Sequence, residues 1–204
     1  MGREEFQSLK GGILKRKNRR IPGVFIDATG LDRATRRISK KIDLSKLLQT
    51  ISGGTAVEVA KYYCLIPYED DARQLSYLDA VNRAGFEVVT KRLPPKGVNR
   101  QVSLDVQIAT DMINFCYGYY AKKSPNNPTS EDTVETSEAS TDVKDKRVLT
   151  VVCPSMELNY SFLWAKHLGA ETVVADFGIH NTNESQNGIT NWIDLSNSEL
   201  IWKD

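Results

Sequence analysis

The chain has 204 residues, 40% of them hydrophobic and 26% charged, with a formal net charge of +1. That length and composition suit one globular domain with a sizeable core, and the near-neutral charge names no partner. No run of about 18 apolar residues is present, and the opening Met1-Gly2-Arg3-Glu4-Glu5-Phe6 has no apolar signal segment, so a cytoplasmic protein without membrane association is expected. Cys64, Cys116 and Cys153 each sit alone in an apolar run, which argues against a disulfide framework or a zinc site.

The charges are unevenly placed. Lys15, Arg16, Lys17, Arg19 and Arg20 form a basic arm within residues 1–21, and Arg33, Arg36, Arg37, Lys40 and Lys41 follow the first apolar run. Clusters of this kind hold phosphate backbones, although a solvated arm and a solvated helix face have the same composition. From Ser124 to Val143 the balance reverses. Glu131, Asp132, Glu135, Glu138 and Asp142 stand among Ser, Thr, Pro and Asn, with no Lys or Arg. Too few apolar residues are present there to offset the entropy of ordering. Residues 123–146 therefore read as a mobile acidic insertion within a domain spanning 22–179, followed by a C-terminal tail, 180–204.

The first element is a strand, Gly23 to Asp27, with its acid at the carboxyl end and a turn at Thr29-Gly30. A helical region from about Leu31 to Ile51 follows, with Leu44, Leu47, Leu48 and Ile51 on one face and Gly53-Gly54 as its stop. Thr55 to Ile66 reads as a strand, Asp70 to Ala84 as a helix, Phe86 to Thr90 as a strand, and Leu104 to Tyr119 as a largely buried helix. Beyond the insertion come a strand, Val148 to Cys153, a helix, Glu157 to Leu168, and a strand, Thr172 to Asp176. Continuous apolar strands alternating with helices predict an α/β fold: a three-layer sandwich around a mostly parallel sheet. The tail, with Trp192, Ile193, Leu195, Leu200, Ile201 and Trp202, is apolar enough to pack on this subunit, on a protein partner or on a second copy.

Ligands of such sheets gather beyond the carboxyl ends of the strands, where the sequence places Asp27, Ser155 and Asp176. The segments Phe25-Ile26-Asp27-Ala28-Thr29-Gly30-Leu31, Leu104-Asp105-Val106-Gln107-Ile108-Ala109-Thr110-Asp111 and Val152-Cys153-Pro154-Ser155-Met156-Glu157-Leu158 resemble the three motifs of the NYN domain, a branch of the PIN-like nucleases. The family motifs read Asp-x-x-Asn, Val-Asp-Val-x-Leu-Ala-x-Asp and Ser-Gly-Asp-x-Asp-Phe. The resemblance covers about Gly23 to Phe177 and implies a Mg²⁺- or Mn²⁺-dependent nuclease acting on RNA. It makes Asp27, Asp105 and Asp111 the catalytic and metal-facing acids, with Glu157 as a further metal ligand, and Lys15, Arg16, Lys17, Arg19, Arg20, Arg33, Arg36 and Arg37 the nucleic-acid contacts. Clustered carboxylates repel one another unless a divalent cation lies among them, and such a cation activates water for phosphoryl displacement.

Three of the departures from the motifs bear on the acidic site. Ser155 stands in place of the first acid of Ser-Gly-Asp-x-Asp, Glu157 in place of the second, and Gly30 in place of the asparagine. The acids present also have structural readings: Asp27 and Asp105 as helix caps, and Glu157 in a first helical turn. A nuclease of reduced activity is thus expected, and the alternative is an inactive NYN-fold module that binds nucleic acid or assembles with protein. Neither His167 nor His180 has a partner motif. No Walker or Gly-x-Gly-x-x-Gly pattern opens a helix, no Gly-x-Ser-x-Gly elbow is present, and Thr29 replaces the second acid of a haloacid-dehalogenase Asp-x-Asp.

Overall fold

A computed structural model describes residues 19–69, 72–122, 145–178 and 188–203. The basic-arm residues Lys15, Arg16 and Lys17, residues 123–144 of the acidic insertion, and His180 lie outside them. In chain order the elements are β1 (Arg20–Asp27), α1 (Ala28–Ile38), α2 (Leu44–Ser52), β2 (Val59–Ile66), α3 (Ala72–Arg83), β3 (Glu87–Arg92), α4 (Asp105–Cys116) and α5 (Tyr119–Lys122). They continue with β4 (Lys146–Val152), a 3-10 turn (Met156–Leu158), α6 (Asn159–His167), β5 (Glu171–Asp176) and β6 (Asn191–Asp194).

The six strands form one sheet in the order β3-β2-β1-β4-β5-β6, and every pairing is parallel. Parallel strands are buried on both faces, and helices cover both faces here. Leu31 of α1, Leu47 of α2 and Val81 of α3 close over Val24, Ile26, Ala60 and Tyr62 on one side. On the other, Ile108, Met112 and Phe115 of α4 and Phe162 and Ala165 of α6 close over Phe25, Tyr63, Leu149, Val151 and Val174. Gly23 belongs to this second face for a steric reason: a Cβ there would stand 2.7 Å from the Phe115 ring.

The predicted architecture is present, with local differences. The single helical region from Leu31 to Ile51 is two helices. α1 begins at Ala28, so Thr29-Gly30 lies inside it rather than in a turn, and it ends at Ser39 in the left-handed conformation (φ 53°). Asp43 then starts α2 by accepting from the Ser45 and Lys46 amides. The second strand begins at Val59 rather than Thr55. The predicted helix from Leu104 to Tyr119 stops at Cys116, and α5 follows it.

The largest addition lies in the C-terminal segment. β6 pairs with β5 from Val173↔Asn191 to Asp176↔Asp194, and Leu195 and Ile201 are fully buried in the α1–α3 core. Trp202 packs on Phe177, Lys40 lies over its ring at 4.8 Å, and the Asp43 amide donates to the Ile201 carbonyl at 2.9 Å. Of the apolar residues that suggested a protein partner or a second copy, Trp192, Ile193, Leu195, Ile201 and Trp202 are therefore packed within this subunit, and Leu200 is left exposed. Ile201→Ala should cost about 2–5 kcal/mol of stability through the cavity it leaves, whereas Leu200→Ala, at a position 73% exposed, should stay within about 0.5 kcal/mol. Urea unfolding of the two variants checks this, and equal costs would contradict the docking of the segment.

Candidate functional site

The strand order reverses between β1 and β4, because β1 leads toward β2 and β3 while β4 leads toward β5 and β6. A crevice opens at such a switch point beyond the carboxyl ends of the strands. Asp27 ends β1 there. It is the N-cap of α1, its carboxylate accepting from the Thr29 amide at 2.9 Å. The structural reading of Asp27 as a cap thus holds without removing it from the crevice.

Asp105 reaches the same place from the first turn of α4. It is not the cap of that helix: Leu104 occupies the cap position, and the Asp105 amide takes the Ser103 hydroxyl as acceptor at 3.2 Å. Its carboxylate is therefore free of capping duty and instead accepts from the Ser155 hydroxyl at 2.6 Å. Ser155 can stand there because the chain turns sharply after β4, with Cys153 in the left-handed region at φ 50°. Gly30 allows that turn to come close. A Cβ at Gly30 would lie 2.1 Å from the Cys153 carbonyl oxygen, so an asparagine does not fit at this position.

Burial lifts the Asp27 carboxyl above its ordinary value. The Gly30 and Thr29 amides pull it down, the Asp105 charge pushes it up, and Arg33 lowers it. Asp27 and Asp105 thus lie close enough for the charge of one to act on the other. Asp176, ending β5, adds negative potential. Burial first, and then the Asp176 carboxylate that accepts from the thiol, push Cys153 far above its usual range, with Asp27 contributing.

Asp111 does not join this group. It lies six residues beyond Asp105, about 9 Å farther along α4, and all its bonds run to other elements. Lys61 donates to it at 3.0 Å, Tyr63 at 2.7 Å and Tyr120 at 2.6 Å. Lys61 is buried, so Asp111 neutralises an interior cation. Burial, followed by the Asp111 charge, keeps the Tyr63 hydroxyl protonated far beyond its normal range. Glu157 is exposed on the 3-10 turn. No three His, Cys, Asp or Glu side chains converge as a ligand cluster among the described residues.

The basic residues divide between the two edges of the sheet. Arg20 starts β1 at the far edge and pairs with Glu171 at 2.6 Å, so it and the adjacent Arg19 stand away from the crevice. Arg33, Arg36 and Arg37 project from α1 at the crevice edge. Arg33 and Arg37 line a groove of about 460 Å³ bounded by Gly30, Cys153, Pro154 and Asp176. All three arginines also line a second cavity, of about 690 Å³, on the α3 side.

Residues 22–122 match the family model of the NYN domain. The chain belongs to the NYN domain family. The match spans β1 to α5 and includes Asp27, Asp105 and Asp111, but it ends before the Ser155 turn. A solved structure of a protein of unknown function from Vibrio parahaemolyticus is similar in fold, with a TM-score of 0.62, 13% identity and coverage of 91% of this chain and 97% of that one. No curated protein matches the chain in sequence. NYN domains belong to the PIN-like, nuclease-type superfamily, whose nucleases generally depend on divalent metal. Among the described residues no helix is long and apolar enough to cross a membrane.

Sequence reasoning overlooked Lys61, Tyr63 and Tyr120 as the partners of Asp111 in this NYN domain. The signal was present as a lysine inside an otherwise apolar strand, which requires a buried counter-charge.

The two acids should respond oppositely to neutralisation. Asp111→Asn leaves the buried Lys61 facing the exposed Glu87 carboxylate, 3.5 Å away, in place of its closer and more buried partner, and should cost about 3 kcal/mol. Asp27→Asn keeps the Thr29 cap acceptor and relieves a carboxylate whose charged form folding disfavours, raising the melting temperature at pH 7. Because the folded value is raised, that penalty is absent below the unfolded range near about 3.9, develops as pH rises, and is complete above the folded value. The advantage of Asp27→Asn should therefore vanish in acid. Thermal melts from pH 3 to pH 8 check both signs.

Proposed function

We propose that this NYN domain is a divalent-metal-dependent ribonuclease of reduced activity, acting on cytoplasmic RNA through the crevice between β1 and β4. The reading rests chiefly on the pairing of two carboxylates, Asp27 and Asp105, that folding holds together despite their repulsion. Groups kept in an unfavourable charge state mark functional sites more often than structural ones.

The donor set suits one hard cation. Magnesium is commonly held by one or two carboxylates, with waters and substrate phosphate completing the shell. Asp27 and Asp105 would hold Mg²⁺ or Mn²⁺, which supplies an activated water and stabilises charge on the transferring phosphoryl group. The protein's own contribution is orientation. The Thr29 amide fixes Asp27, the Ser155 hydroxyl fixes Asp105, and Arg33 and Arg37 offer guanidinium forks to the phosphates of a bound strand. Asp111 keeps α4 in register with β2 through Lys61 and takes no part in chemistry.

The alternative, an inactive module that retains nucleic-acid binding, draws on the same hydrogen bond: Ser155 gives Asp105 a donor where the family motif supplies a third carboxylate. Labelled single-stranded and structured RNA, incubated with Mg²⁺ or Mn²⁺, separates the two. Metal-dependent cleavage by the wild type that falls at least about tenfold in both Asp27→Asn and Asp105→Asn is the expected result, and Ser155→Asp should lower the Mn²⁺ concentration needed. A wild type that binds RNA but cleaves no faster than Asp27→Asn would instead establish the inactive module.

A further inference from the structure

We propose that the cavity between α1 and α3 is a nucleotide subsite that selects one base of the bound RNA strand, its phosphate on the α1 arginines and its base on Tyr77. This rests on the reading of the crevice as an RNA site and extends it to sequence preference.

The cavity, about 690 Å³, lies beyond the carboxyl end of β2 and opens beside Ala28 and Thr29, the residues that follow Asp27. Its α1 wall carries three arginines and one carboxylate, Asp32. Arg33, Arg36 and Arg37 follow i, i+3, i+4 spacing and so share one helix face. Arg36 is held by Asp32 at 2.7 Å, whereas Arg33 and Arg37 make no ion pair among the described residues and also line the groove beside Cys153. A phosphate backbone crossing α1 thus meets cationic groups continuously from the carboxylate crevice to this cavity.

The opposite wall is aromatic and fixed. Tyr77 is 44% exposed, yet its hydroxyl is 2.6 Å from that of Tyr62 and its ring stands edge-on to the Tyr62 ring at 6.3 Å. A half-exposed ring with its orientation already set offers a stacking face at little entropic cost. Beside it the Gln74 amide, steered toward Cys64, presents both donor and acceptor groups, the chemistry that distinguishes base edges. Phosphate contacts position a strand and contacts to the base specify it; this cavity has one wall for each.

The test measures binding of adenine, cytosine, guanine and uracil hexaribonucleotides by fluorescence anisotropy. Chelator is present and the Asp27→Asn background is used, so that neither metal nor cleavage enters. One homopolymer should bind at least about fivefold more tightly than the weakest. Tyr77→Ala and Gln74→Leu should level that preference, and Tyr77→Phe, which keeps the ring, should retain stacking affinity. Arg33→Gln and Arg37→Gln should weaken all four RNAs alike and each lower the salt slope by about 0.7. Equal binding of all four by the parent, or a preference that survives both Tyr77→Ala and Gln74→Leu, overturns the subsite. A base preference in a protein that never cleaves RNA sustains the subsite while overturning the catalytic reading.

Discussion

The crevice depends on one close approach, that of Gly30 near the start of α1 to the Cys153 carbonyl at the turn after β4. With the missing Cβ site only 2.1 Å from that oxygen, any side chain at position 30 would force the two segments apart. The approach lets β1 pass into α1 without a loop, so that Asp27 both ends the strand and caps the helix. It accompanies the left-handed Cys153, and the turn that follows delivers Ser155 to Asp105. Glycine and serine, two of the departures from the family motifs at this edge, are thus parts of one local arrangement.

The acids of α4 divide their duties along the helix axis. Asp105, in the first turn, faces the crevice, accepts from the neutral Ser155 hydroxyl and feels the Asp27 charge. Asp111, less than two turns later, is saturated by a lysine and two tyrosines. A buried lysine without its partner is costly, so this second cluster holds α4 against β2. That support places the α4 N-terminus, and Asp105 with it, at the end of β1. The ion-paired acid and the crevice-facing acid are separated on one helix by about 9 Å.

Charge is organised by edge in the same way. Arg20 and Lys146 at the amino edge of the sheet share Glu171, which leaves them tied within the fold. The arginines of α1 lie at the carboxyl edge, on the helix that emerges directly from Asp27. The two basic clusters of the sequence therefore differ in use: Arg20 belongs to an ion-pair network, and the α1 arginines line the grooves at the carboxyl edge.

Much of the sheet and helix order was legible in the sequence, because apolar periodicity and glycine or proline punctuation report on neighbours a few residues apart. The strand-end position of Asp27 and the buried face of α4 could be read in that way, whereas the third motif came from the family resemblance alone. What only the tertiary structure decided were pairings across long stretches of chain: Asp111 with Lys61, 50 residues away, Ser155 with Asp105, and β6 with β5. The choice between a carboxylate that neutralises a lysine and one that faces a crevice is made by how α4 lies against β2 and β4. No local pattern encodes that register, since the same Asp-x-x-x-x-x-Asp spacing on a helix serves either arrangement.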